Sequence, residues 1–113
     1  PLPQSTKDQR INELLSGLRD TLHLPHSIDS AAVQTAMSRS TFTRHFKKAT
    51  GMTFLEWLHT ERLQQSLDLL EHSSLSIEQI AERCGFQNAV SFRTQFYRYY
   101  HVQPNVWRKR FGV

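Results

Sequence analysis

Apolar residues return every three or four positions along most of this chain, the period of an amphipathic helix rather than the alternation of a strand. From Lys7 to Leu24 they are Ile11, Leu14, Leu15, Leu18 and Leu22, and Pro25 is expected to stop that helix. Ser27 is placed to cap a short helix from Ile28 to Ala36, and Ser38 to cap the next, which runs to about Thr50. Gly51 supplies a left-handed end. Thr53-Phe54-Leu55-Glu56 is a capping-box pattern and opens the longest helix, Phe54 to Glu71. Ser76-Ile77-Glu78-Gln79 is a second such pattern, opening a short helix to about Cys84. After a turn at Gly85-Phe86 another helix spans about Asn88 to Tyr100, and Pro104 fits the first position of a last helix through Arg110. No segment alternates like a strand with hairpin turns, so the expected fold class is all-α with about seven helices.

The apolar pattern also repeats. Shifted by 49 positions, Ile28 falls on Ile77, Ala32 on Ala81 and Met37 on Phe86. Shifted by 50, Phe42 falls on Phe92, Phe46 on Phe96 and Trp57 on Trp107. A short helix, a tight turn and a second helix therefore occur twice, with the same apolar positions filled. This is the pattern of a helix-turn-helix. Alanine sits where the two helices cross, Met37 or Phe86 plugs the turn, and phenylalanines at i and i+4 anchor one face of the second helix. The opposite face of the first copy carries Ser40, Thr43, Arg44 and Lys47; that of the second carries Val90, Arg93, Thr94 and Tyr97. Small, hydrogen-bonding and cationic side chains on one exposed helix face are what a DNA major groove accepts.

Charge strengthens that reading by its distribution more than by its total of +4. Between Ser30 and Leu55 lie Arg39, Arg44, Lys47 and Lys48 without an acid, and between Arg83 and Val113 lie six cations, again without one. Two separated acid-free basic windows suit a polyanion. The single cysteine, Cys84, forms no internal disulfide, which fits a reducing cytoplasm. No apolar run has the length of a membrane span, and no signal-peptide pattern opens the chain.

On these residues the chain resembles the AraC/XylS family of bacterial transcription regulators over nearly its whole length. The first copy matches in Ala36-Met37-Ser38, Phe42, Arg44, Phe46-Lys47-Lys48 and Gly51, and the long helix in Arg62-Leu63 and Leu69-Leu70. The second matches in Ile80-Ala81-Glu82-Arg83-Cys84-Gly85-Phe86, Ser91-Phe92, Phe96, Pro104 and Trp107-Arg108. The resemblance implies a DNA-binding domain of two helix-turn-helix subdomains joined by a linker helix, with a recognition helix from each entering successive major grooves of double-stranded DNA. The expected organisation is a linker remnant over 1–6, a first subdomain over 7–52, the linker helix over 53–72 and a second subdomain over 73–113.

Roles follow. Arg44 is the expected bidentate partner of guanine, with Arg39, Ser40 and Thr43 beside it; in the second copy base contacts fall to Ala89, Val90, Arg93 and Thr94, the first two through thymine methyls. Lys47, Lys48, Arg98 and Arg108, with Tyr97 and the helix start at Thr53, are expected on phosphates. Arg62, near Glu61 and Asp68, reads as an ion-pair residue of the linker helix. Family members often carry arginine where Thr94 stands, glycine where His101 stands, and a Ser or Thr cap where Gln103 stands. These departures give the first copy the larger share of sequence specificity.

An enzyme is the weaker reading. Cys84 has no histidine placed to activate it, and its slot before Gly85 is a core position. His23 and His26 straddle Pro25, so one helix face does not present both to a metal. No catalytic residue, metal site or cofactor is expected. A helical interaction module, docking on RNA polymerase or another regulator through exposed Tyr97, Tyr99 or Tyr100, is compatible with DNA binding. The polar, proline-flanked start suggests a domain of a longer regulator whose further part senses a ligand or dimerises; alone, the domain is expected to be a monomer.

Overall fold

The computed structural model describes residues 6–113, with side chains from residue 9, and is all-α, with seven helices and no strand among the described residues. The helices are α1 (Thr6–Asp20), α2 (Ile28–Gln34), α3 (Arg39–Thr50), α4 (Phe54–His72), α5 (Ile77–Arg83), α6 (Ala89–Tyr100) and α7 (Pro104–Phe111). Apart from Thr6, which opens α1, the stretch read as a linker remnant lies outside the described residues.

The chain divides into two compact units, one reaching to Leu58 and the other from His59 to Val113. The division falls inside α4. Its first turns give Phe54, Trp57 and Leu58 to the first core, and its later turns give Leu63 and Leu70 to the second. One helix thus ends one unit and begins the next. The equivalence extends the repeat seen in the sequence: shifted by 52, Ile11 falls on Leu63, Leu14 on Ser66 and Leu18 on Leu70, and all six are buried. Each unit is accordingly three helices plus a closing fourth element, half of α4 in one case and α7 in the other.

In the first unit Phe42, Phe46 and Ile11 are wholly buried, as are Phe92, Phe96 and Ile80 in the second. Each such side chain contributes on the order of 1.5–3 kcal/mol by leaving water. The aromatic geometry is duplicated. Phe46 meets Trp57 edge-on at 6.1 Å and 80°, and Phe96 meets Trp107 at 6.0 Å and 81°. These edge-to-face contacts place the positive ring edge on a negative ring face.

The helix-turn-helix turns are built by the same hydrogen bonds. Met37 N donates to Ala32 O at 2.9 Å and Ala36 N to Val33 O at 3.0 Å; Phe86 N donates to Ala81 O at 2.9 Å and Gly85 N to Glu82 O at 3.1 Å. This Schellman pattern needs a left-handed residue after the C-cap. Gly85 takes it at φ 90°, and Ala36 is forced into it at φ 54°.

The predicted caps are present: Ser38 and Ser76 cap α3 and α5, and the Thr53–Glu56 capping box closes at 3.2 Å in both directions; Asn88, expected only as the start of its helix, caps α6. That box holds the Glu56 carboxyl below its ordinary range, chiefly through the Thr53 hydroxyl and then the Thr53 amide. Ser27 forms a box the sequence did not suggest, with Ser30 as the reciprocal residue. His101 adopts the left-handed end of α6 at φ 62°.

Helix α1 stops earlier than expected, at Asp20 rather than Leu24. The Thr21 hydroxyl donates back to Gly17 O at 2.8 Å, and Leu24 N closes a turn onto Thr21 O at 3.0 Å. His26 Nε2 then donates to the Thr21 carbonyl at 2.7 Å, which holds the turn that Pro25 requires. Likewise α2 ends at Gln34 rather than Ala36, because Thr35 and Ala36 form the Schellman turn.

Candidate nucleic-acid interface

Burying Phe42 and Phe46 on one side of α3 turns the opposite side outward, since residues three and four apart share a helix face. Arg39, Ser40, Thr43, Arg44, Lys47 and Lys48 line a single open concavity there, and all six are exposed. The Thr43 hydroxyl donates to Arg39 O at 2.9 Å, leaving its lone pairs outward. Arg39 is not free: its Nη1 donates to Asp29 Oδ1 at 2.8 Å, from the first helix of the same helix-turn-helix.

In the second unit Phe92 and Phe96 are buried, and the outward face of α6 is lined by Val90, Arg93, Thr94 and Tyr97, with Gln103 beside them. Val90 is 71% exposed and Tyr97 52% exposed, so this face is more apolar and aromatic than that of α3. Ala89 is half-buried and packs against the second core. The Thr94 hydroxyl donates to Val90 O at 3.0 Å. Arg93 Nη2 donates to Glu78 Oε2 at 3.2 Å, and the Glu78 carboxyl lies below its ordinary range, chiefly through its own backbone hydrogen bond and then the bond from Arg93.

Lys47, Lys48 and Arg98 are exposed near the ends of the two helices, where cations suit the negative end of the helix dipole. Two expected phosphate contacts are placed differently. Arg108 Nε donates to Leu70 O at 3.2 Å and its Nη2 to Ser73 O at 3.2 Å, so its guanidinium satisfies the last carbonyls of α4. We therefore read Arg108 as a helix-capping residue. The Thr53 amide is taken by Glu56, which removes it from the donors at that helix start.

The structure adds residues that sequence reasoning missed. Gln103 lines the second face and makes no side-chain cap bond to α7; its match to Thr53 under the shift of 50 was the available signal. Arg10 Nη1 donates to Thr35 O at 2.6 Å, capping the end of α2. Its counterpart under the shift of 52 is Arg62, half-buried beside Cys84, with its pKa lowered by burial. The Asp68 carboxylate, expected near Arg62, lies 3.2 Å from His72 Nδ1 on the next turn of α4.

Cys84 is wholly buried, and burial pushes its thiol up to about 12 against the opposing pull of Arg62 and Arg83. At neutral pH it is a protonated core side chain. No group of three or more His, Cys, Asp or Glu side chains able to hold a metal occurs among the described residues. No helix among them is long and apolar enough to cross a membrane.

Comparison with known proteins gives one consistent result. The helix-turn-helix domain family matches residues 31–110. The chain is 30% identical over 107 residues to the HTH-type transcriptional activator RhaR of Salmonella arizonae, covering 95% of this chain and 38% of that protein. The chain thus spans well under half the length of that activator. Among solved structures, the DNA-binding domain of the global transcriptional factor AdpA, crystallised with a target DNA, has a TM-score of 0.88 at 34% identity, covering 90% of this chain and 92% of that one. A transcriptional regulator with an AraC-type DNA-binding domain from Chromobacterium violaceum has a TM-score of 0.82 at 25% identity, with coverage of 95% and 96%.

Proposed function

This chain belongs to the AraC/XylS family of helix-turn-helix transcription regulators, and from that premise we propose that it reads double-stranded DNA by sequence, with α3 and α6 as its recognition helices. The observation that carries the proposal is the outward face of α3. It is set rigidly by two buried phenylalanines and holds only hydroxyl and cationic side chains in one open concavity. Arg44 contacts guanine through its paired donors, with Ser40 and Thr43 as neighbouring base contacts. In the second unit Val90 meets thymine methyls, while Arg93 and Thr94 offer hydrogen bonds. Lys47, Lys48, Tyr97 and Arg98 hold phosphates and give affinity without sequence information. The first unit, whose outward recognition face is the more cationic of the two, supplies the larger part of the specificity. The chain acts in the cytoplasm.

The test is fluorescence-anisotropy binding to a randomised duplex pool at several salt concentrations, followed by selection and sequencing, with Arg44→Ala beside the wild type. Steep salt dependence and a two-part enriched motif are expected. The variant should lose preference at one part only, by about 1–3 kcal/mol of discrimination. Binding that ignores salt, or an unaltered motif in the variant, would reject the assignment.

A further inference from the structure

Two acids paired with the recognition helices occupy matched positions. Asp29 is the second residue of α2 and Glu78 the second residue of α5, and the shift of 49 lays one on the other. Each carboxylate holds an arginine of the recognition helix in its own unit, Arg39 at 2.8 Å and Arg93 at 3.2 Å. The two arginines do not match: under the shift of 50, Arg39 falls on Ala89 and Arg93 falls on Thr43. They stand one helical turn apart in register, so two different arginines reach the same acid from neighbouring turns.

Stability gives little reason for these pairs. Side-chain exposures are 63% and 73% for Arg39 and Asp29, and 38% and 69% for Arg93 and Glu78, and exposed pairs stabilise a fold weakly. Nor does a carboxylate help hold DNA, because it repels phosphate. Its effect lies in what it denies the arginine. An untethered guanidinium takes any phosphate, which raises affinity for every sequence alike. A guanidinium with one nitrogen engaged keeps its other donors for a base edge in a fixed direction, and the nearby negative charge weakens binding wherever that base is missing.

We infer that Asp29 and Glu78 are positioning residues for specificity: each withholds one recognition-helix arginine, Arg39 or Arg93, from indiscriminate phosphate contact and aims it at a base edge. This rests on the DNA reading proposed above.

The test measures Kd for the selected duplex and for a random duplex across a salt series, with the fold checked by circular dichroism. The proteins are the wild type, Asp29→Asn, Glu78→Gln, and Asp20→Asn as an equal charge change at the end of α1. For Asp29→Asn and Glu78→Gln, random-duplex affinity should rise about three- to tenfold and the salt slope should steepen by about one. Affinity for the selected duplex should change less, so the ratio between the two shrinks. In an Arg39→Met background, Asp29→Asn should have no such effect. An equal rise in Asp20→Asn, persistence of the effect without Arg39, or an unchanged ratio overturns the inference while leaving DNA reading intact. Salt-insensitive binding by the wild type would remove the DNA reading itself and the inference with it.

Discussion

The two units share a scaffold and differ on their outward faces. Their turns use the same pair of hydrogen bonds, and their Phe–Trp contacts agree within 0.1 Å and 1°. Where they differ, each has found its own way to fill a shared requirement. Thr35 and Cys84 occupy the same buried slot, one bonding through its hydroxyl to Ala31 O and Ala32 O, the other remaining a protonated thiol. Arg19 lies 5.5 Å over the Trp57 ring, whereas the Trp107 indole donates to Glu71 Oε2 at 2.8 Å. On the exposed faces the constraint disappears: Arg44 and Lys47 stand where the second unit has Thr94 and Tyr97. Packing keeps most matched buried positions apolar or small, with Leu14 against Ser66 as an exchange the cores absorb, whereas solvent leaves the facing residues to be set by what they read.

The strongest challenge to the equal-core half of this comparison is truncation of matched aromatics. Phe46→Ala and Phe96→Ala should each cost about 3–5 kcal/mol, because each leaves a large cavity in a small core. Denaturant melts combined with hydrogen exchange should place each loss in its own unit; a much smaller cost in one would show that the cores are not equivalent. Arg108→Met should cost about 1.5–3 kcal/mol by stripping charge-assisted bonds from the α4 carbonyls. It should leave the salt slope of DNA binding unchanged, and a slope reduced by about one would return Arg108 to a phosphate.

The turn residues make opposite predictions. Ala36→Gly relieves a left-handed alanine and should stabilise the first unit by roughly 0.5–1 kcal/mol, after the extra unfolded-state entropy of glycine is counted. Gly85→Ala should destabilise the second by about 1–2 kcal/mol, and thermal melts of both variants would decide the matter. The smallest effect concerns pH. Partial burial, then Arg62 and Arg98, hold the His59 imidazole below its ordinary value. The folded second unit therefore favours the neutral ring. That contribution is present above about pH 6.5 and declines as pH falls through 6.5 toward the lowered value. His59→Gln should flatten stability against pH over that window, with the first unit unaffected.

Much of this protein is a consequence of local pattern. The helical period, the serine, threonine and asparagine caps and the doubled apolar register are properties of neighbouring residues. They place Arg44, Thr43 and Ser40 opposite Phe42 and Phe46 before any tertiary contact is known. The end of α1 was harder to read, because Leu22 keeps the period after the backbone has left the helix; a side chain can remain buried from a turn as well as from a helix.

Local pattern is enough to say where the helices lie, which segments repeat and which residues face outward. The charged groups find their partners only once separate helices pack together. Arg39 meets Asp29 ten residues away, Arg93 meets Glu78 at fifteen, and Arg108 reaches Leu70 at thirty-eight. That packing likewise made α4 serve both units and drove Ala36 into a glycine-like conformation. The physical reason is range. Periodicity and capping act within one or two helical turns. A guanidinium on a flexible stem takes whichever acceptor the packing of separate helices brings within about 3 Å.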